Sequence, residues 1–224
     1  MIKWQDFFLK DPYEGAKLVP LDLQGWASDD PILAACIAKV RPKLIIEVGS
    51  WKGASAVHMA RVCRDMGLET QILCVDTWLG GGETYDRHDS LNKWIHESLR
   101  HEAGYPRLHQ TFMSNVIREG FQDVIIPLPL PSTVAAEVIR LRGIQADMLY
   151  IDGSHEYDDV MLDLKAYWKL TKDGGIMAGD DYLAWDGVTR AVNDFVAQNN
   201  LGHCSVLRDK KFAIGKGCKM DGIV

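Results

Sequence analysis

This chain of 224 residues predicts an α/β fold, a doubly wound sheet with helices on both faces. Three observations point there. Short apolar runs rich in β-branched residues alternate with runs whose apolar residues recur at helical spacing. Several of the strand-like runs end in a turn bearing glycine or an acid, and a helix-like run follows. Near the end, two short apolar runs flank 208–211 in the manner of a hairpin.

The elements follow in order. Pro31–Val40 opens behind the acidic cap candidates Asp29 and Asp30, with proline in the first turn, as a helix start favours. Leu44–Val48 (LIIEV) reads as a buried strand, 54–66 as a helix and Gln71–Val75 (QILCV) as the second strand. Residues 124–128 are the third strand, and Ser132–Leu141 is a helix with Ser132 as its N-cap. A fourth strand at 148–151, a helix at 160–170, a fifth strand at 175–178 and a helix at 188–198 complete the alternation. The runs 204–207 and 212–214 then add a hairpin, expected as an antiparallel edge to five parallel strands.

One stretch, 79–113, breaks the pattern. It holds Gly80, Gly81 and Gly82, a helical piece near 91–100, and the polar aromatics Tyr85, His88, Trp94, His96, His101, Tyr105 and His109. It reads either as a surface insertion or as a substrate lid or oligomer contact. No repeat or linker divides the chain, so 1–224 is read as a single domain.

Composition removes several classes. Hydrophobic residues at 47% and charged residues at 25% suit a soluble globular protein and argue against disorder. Lys+Arg 25 against Asp+Glu 31 leaves a net charge of -6, which speaks against a broad basic face for nucleic acid. No apolar run is long enough to span a membrane. The first fifteen residues carry Asp6, Asp11 and Glu14 without an apolar core, so they are not read as a secretory signal. Cys36, Cys63, Cys74, Cys204 and Cys218 are odd in number and scattered, which fits small buried hydrophobes in a reducing cytoplasm.

The chemistry gathers at strand ends. The first strand runs into Glu47-Val-Gly49-Ser50-Trp-Lys-Gly53-Ala-Ser55. A strand, a glycine turn and a helix N-terminus together present backbone N–H groups to an anion or to a zwitterion's carboxylate. Gly49 permits the tight turn and Gly53 a close approach of the helix, although the strict G-x-G-x-x-G is absent and Trp51 stands where small residues are usual. Glu47 lies in an otherwise apolar run and needs a partner there, such as a ligand ammonium or backbone donors. The second strand ends in Val75-Asp76-Thr77-Trp78, and an acid in that place suits the two hydroxyls of a ribose.

The fourth strand ends in Asp152-Gly153-Ser154-His155, the fifth in Gly179-Asp180-Asp181-Tyr182. If those strands are neighbours, Asp152, Asp180 and Asp181 crowd one edge. Three carboxylates at that spacing repel unless a cation intervenes, and hard oxygens select Mg²⁺ or another hard divalent ion. The alternatives are plain structure: Asp180 or Asp181 capping a helix, and Asp152 bracing a turn. His155 titrates near neutrality and fits either a general base or a polar supporting residue. Asp158, Asp159 and Asp163 fit the first turns and solvated face of a helix, and His58 fits packing.

With these segments in place, the chain resembles a class I S-adenosylmethionine-dependent methyltransferase of the small-molecule branch that includes cephalosporin-biosynthesis-type and macrolide-sugar O-methyltransferases. The matching pieces are EVGSWKGAS at 47–55, VDTW at 75–78, YIDGSHEYDDV at 150–160 and GGIMAGDDY at 174–182, in family order. The resemblance implies a Rossmann-like, mostly parallel seven-stranded sheet with a reversed last strand. It implies that Glu47 and Gly49 line the methionine end of S-adenosylmethionine, with Ser55 near its carboxylate. Asp76 would bind the ribose, Pro131 and Ser132 fall at the adenine side, and Ser50, Gly53, Thr77, Trp78 and Asp152 are also expected at the cofactor. It further implies Asp152, Asp180 and Asp181 as Mg²⁺ ligands and His155 as the base, in O-methylation of a sugar or other vicinal diol. The expected partner is a small-molecule acceptor, with no nucleic acid and no membrane, in the cytoplasm and with scope for a homo-oligomer. A non-catalytic S-adenosylmethionine-binding module and a nicotinamide oxidoreductase remain the competing readings.

Overall fold

The computed structural model describes residues 2–85 and 90–223. After a 3₁₀ turn at Trp4–Asp6 come α1 (Pro31–Val40), β1 (Leu44–Val48), α2 (Ala54–Asp65), β2 (Gln71–Val75), α3 (Gly82–Tyr85) and α4 (Ser90–Ser98). Next are α5 (Leu108–Arg118), β3 (Ile125–Leu128), α6 (Ser132–Leu141), β4 (Ala146–Ile151) and α7 (Tyr157–Trp168). The chain closes with β5 (Thr171–Gly179), α8 (Asp186–Gln198), β6 (Ser205–Arg208) and β7 (Lys211–Gly215).

The seven strands form one sheet in the order β3-β2-β1-β4-β5-β7-β6. Strands β1 to β5 pair in parallel, and β7 runs antiparallel to both β5 and β6. The reversed strand β7 is therefore inserted inside the sheet, and β6, paired antiparallel to β7 alone, forms the edge. Burial explains the placement: all five residues of β7 are buried, whereas every residue of β6 is half-buried and suits an edge.

Adjacent strand residues feed opposite layers, as the two-residue period requires. Ile45, Ile72, Met148 and Ile176 pack with α1, α2 and α5, while Ile46, Leu73, Leu149 and Met177 pack with α6, α7 and α8. Helix α1 starts as its sequence indicates: Pro31 occupies the first turn and the Asp30 carboxylate accepts the Ile32 N–H at 2.9 Å. Ser132 departs from expectation. Pro131 holds the N-cap position, which makes Ser132 the first helical residue and leaves its side chain without a capping bond.

Two further expectations change. Helix α5 is not among the elements that the sequence pattern predicts. It begins inside the 79–113 stretch, and Leu108, Phe112, Met113 and Val116 are core residues, so the inserted part ends near residue 107. His88 lies outside the described residues. Asp163 faces inward instead of into solvent, with 4% of its surface exposed. Among the described residues no helix is long and apolar enough to cross a membrane, and Cys36, Cys63, Cys74 and Cys204 are buried free thiols.

Candidate active site

Strand order reverses at β1, which has β2 on one side and β4 on the other. A crevice opens at such a switch point beyond the carboxyl ends of the strands. Backbone bonds stitch those ends together: Gly49 N–H donates to Val75 O at 2.9 Å, and Asp152 N–H donates to Val48 O at 2.8 Å. Gly49 has φ +85°, and a Cβ there would lie 1.9 Å from the Asp152 carbonyl oxygen, so this approach admits only glycine. Gly53, also at φ +85°, starts α2 where a Cβ would press on the Phe112 ring at 3.0 Å.

Glu47 is completely enclosed beneath this turn. Its Oε1 accepts the Ser55 hydroxyl at 2.5 Å and its Oε2 the Cys74 thiol at 3.4 Å. Burial raises its pKa, and the neighbouring Ser50, Ser55 and Cys74 side chains offset part of that. No cationic side chain among the described residues pairs with it. The neighbouring Ser50 hydroxyl is buried and has no hydrogen-bond partner among the described residues. A buried acid without a counter-ion beside an unpaired hydroxyl suits a zwitterionic ligand, such as the methionine end of S-adenosylmethionine.

Asp76 ties the turn to β2, accepting the N–H of Trp51 at 2.9 Å and of Trp78 at 2.7 Å. Burial pushes its pKa up while those donors oppose the rise. Two N–H bonds leave lone pairs on this carboxylate for a diol. Thr77 Oγ1 accepts the Leu79 N–H at 3.3 Å. Trp78, in contrast, is a core residue. It is 1% exposed, its indole N–H donates to Trp51 O, and its ring meets those of His109 and Phe112 at 4.8 and 4.7 Å.

The acidic edge forms as expected but holds its own cations. Asp152, just after β4, lies close enough to Asp180 and Asp181, just after β5, for both to raise its affinity for protons. Burial is the largest cause for Asp152, followed by Asp180 and Asp181. Lys211, first residue of β7, donates its ammonium to Asp180 Oδ2 and to the Tyr150 hydroxyl. Asp180 Oδ1 accepts the Asp181 N–H at 2.7 Å. Lys211 and Asp180 are 2% and 6% exposed. Asp181 Oδ2 bonds His155 Nε2 at 2.8 Å, and Glu83 of α3 bonds His155 Nδ1 at 2.8 Å. Burial alone would lower the His155 pKa, but these two carboxylates outweigh it and raise it to about 10. The imidazole also stacks on Trp185, centroids 4.3 Å apart and planes 9° from parallel.

A divalent cation does not fit this arrangement. Both oxygens of Asp180 are engaged, one of them by a buried ammonium, and Asp181 faces the His155 ring. Among the described residues no three His, Cys, Asp or Glu side chains are grouped as metal ligands.

Two clefts flank Asp152. One, of about 250 Å³, lies between Gly49, Ser50, Ser55 and the segment Gln24–Ser28. The other, of about 230 Å³, runs along Gly153, Ser154, Asp180 and Asp181. Pro131 and Ser132, at the start of α6, line neither. The 22–28 segment carried no motif. It is placed by distant bonds: Asn115 Nδ2 donates to Asp22 O and Lys52 O, Lys52 Nζ to Asp22 Oδ2, and Trp51 Nε1 to Gln24 Oε1. Trp51 sits at φ +47° with its ring 6.0 Å from that of Trp26, which in turn meets Trp94 of α4 at 6.2 Å.

A methyltransferase-domain family model matches residues 46–182. Two curated proteins are similar. The uncharacterized protein R132 of Acanthamoeba polyphaga mimivirus is 29% identical over 114 residues, 49% of this chain and 46% of that protein. The uncharacterized protein y4gI of Sinorhizobium fredii is 25% identical over 142 residues, 62% of this chain and 13% of that protein. The chain thus spans less than half the length of either.

Solved structures share the fold. The O-methyltransferase TomG from Streptomyces achromogenes, in complex with SAM, aligns with TM-score 0.59 at 14% identity, covering 89% of this chain and 84% of that one. An O-methyltransferase from Bacillus cereus in complex with SAH aligns with TM-score 0.57 at 14% identity, covering 91% and 87%. The O-methyltransferase NovP aligns with TM-score 0.58 at 14% identity, covering 83% and 78%.

Proposed function

The chain belongs to the methyltransferase-domain family, and on that premise we propose that it moves a methyl group from S-adenosylmethionine to a hydroxyl of a small-molecule acceptor. The observation that carries this reading is the crevice at β1. A glycine turn that tolerates no side chain lies beside a buried Glu47 and a buried Ser50 hydroxyl, the first without a cationic partner and the second without a hydrogen-bond partner among the described residues. Bound there, S-adenosylmethionine supplies an already activated methyl, so the protein's part is alignment and removal of one proton.

The chain's residues divide that work. Glu47, Ser50 and Ser55 hold the polar end of the ligand, with Gly49 and Gly53 shaping the turn around it. Asp76 takes the ribose hydroxyls on its free lone pairs, with Thr77 beside it. Asp152 borders both clefts and separates cofactor from acceptor. When Glu83 leaves His155 Nδ1 it carries off the proton it shares there, and the neutral ring then accepts the acceptor's proton at Nδ1 while Asp181 keeps hold of Nε2 and stabilises the imidazolium that forms. No step runs through a divalent ion. Trp26, Trp94 and Trp185 expose rings near this mouth, which favours a ring-bearing acceptor such as a sugar or another diol.

Calorimetry with S-adenosylmethionine and with NAD, followed by turnover against a panel of sugars and catechols, tests the reading. S-adenosylmethionine is expected to bind and NAD not to, with methyl transfer to at least one hydroxyl and its loss in His155→Ala. NAD binding alone would restore the oxidoreductase reading. S-adenosylmethionine binding with no transfer to any acceptor would leave a binding module.

A further inference from the structure

We propose that Lys211 is a built-in cation for the acidic edge, standing in for the divalent ion that Asp152, Asp180 and Asp181 would otherwise call for, so that the protein works without a metal. The topology puts it there. The reversed strand β7 lies directly against β5, with Phe212 opposite Gly179, and Lys211 therefore reaches Asp180 from inside the sheet. Its ammonium donates to Asp180 Oδ2 and to the Tyr150 hydroxyl at 2.8 Å, and that hydroxyl also donates to Asp180 Oδ2 at 3.2 Å.

Lys211 is 2% exposed, so its ammonium is not a mobile surface charge that a metal would displace into water. A hard divalent ion takes six or more oxygen ligands. Here Asp180 gives one oxygen to the Asp181 N–H and the other to Lys211 and Tyr150. A second cation placed beside them would also meet the charge of Lys211 in a region of low dielectric. The same ammonium opposes the repulsion that Asp180 and Asp181 exert on Asp152. Lys211 is thus a positioning residue, which holds three acids together behind the clefts without touching a substrate.

This inference rests on the site proposed above, yet its test does not depend on methyl transfer. Mn²⁺ alone, followed by electron paramagnetic resonance on the full chain, is expected to show no binding below the millimolar range. Removing the charge in Lys211→Met is expected to tighten Mn²⁺ binding at least tenfold, with loss of that gain in Lys211→Met/Asp181→Asn. Stoichiometric Mn²⁺ binding by the unaltered protein at micromolar levels, abolished by Asp181→Asn, would overturn the proposal without any need for the lysine variant to fold. A folded Lys211→Met that gains no Mn²⁺ affinity would overturn it too. Where S-adenosylmethionine fails to bind, the proposed function falls while the Mn²⁺ result still stands.

Discussion

At the scale of single residues, Asp163 carries the clearest mismatch between its chemistry and its surroundings. The acidic start of α7 suggested a solvated helix face, and a helical period alone does not separate one buried acid from its exposed neighbours Asp158 and Asp159. Asp163 is 4% exposed and its Oδ1 has no partner among the described residues. Burial raises its pKa to about 6, with the Ser132 hydroxyl only partly opposing the rise. A carboxyl that binds its proton more tightly when folded makes stability fall as pH rises, here between about pH 4 and pH 6. The effect reaches at most about 3 kcal/mol at neutral pH, since each pKa unit corresponds to about 1.4 kcal/mol. Asp163→Asn is therefore expected to be more stable than the unaltered protein at pH 7.5 by about 1–3 kcal/mol and nearly equal to it at pH 4. Urea midpoints at the two pH values check this. Equal destabilisation at both would mean that the ionised carboxylate makes a bond that asparagine does not replace.

Among elements, the inserted segment gains a role that its sequence left open between surface decoration and lid. Glu83 on the four-residue helix α3 reaches across 72 positions to the His155 ring. Two carboxylates on one imidazole hold it protonated at neutral pH, and a protonated imidazole is no base. The contact thus links the state of His155 to the position of α3. Glu83→Gln removes one of the two carboxylates, so the His155 pKa falls and the acid limb of the kcat/KM profile is expected to move to lower pH. The same change acts on stability. A raised histidine pKa stabilises fully below its unfolded value near 6.5, and that contribution is lost as pH rises toward about 10. The unaltered protein is expected to lose Tm between those values more steeply than Glu83→Gln. Coincident pH–rate profiles for the two proteins would remove Glu83 from any role at His155.

For the whole molecule, what was legible and what was not follows from how far each interaction reaches along the chain. Strands, the glycine turn and the acids at strand ends are local patterns, and Gly49, Asp76, Asp152 and His155 lie together near the carboxyl edge where those patterns implied. Lys211 leaves no such mark, because its partner Asp180 lies 31 residues away across a strand inserted out of order. The arm that walls the cofactor cleft is still less visible. It is held by Ser114 and Asn115 of α5, a helix with no clear mark in the sequence, bonded to Val19 and Asp22 across 93 to 95 positions. Asn115 is the hub. Fully buried, it accepts the Asp22 N–H and donates to the carbonyls of Asp22 and Lys52, joining the arm, the glycine turn and α5 in one side chain. Removing it strands those three groups, each bond contributing about 1 kcal/mol. Asn115→Ala is therefore expected to lower stability by about 2–3 kcal/mol. Hydrogen exchange should speed up over 19–28 while the amides of α7 and α8, on the opposite face of the sheet, keep their protection. S-adenosylmethionine affinity should fall with it, since Gln24, Gly25 and Trp26 form one side of the cleft at Ser50. Unchanged exchange over 19–28 would mean that Arg118, whose Nε donates to the Val19 carbonyl at 2.6 Å, and the Lys52–Asp22 pair hold the arm without Asn115.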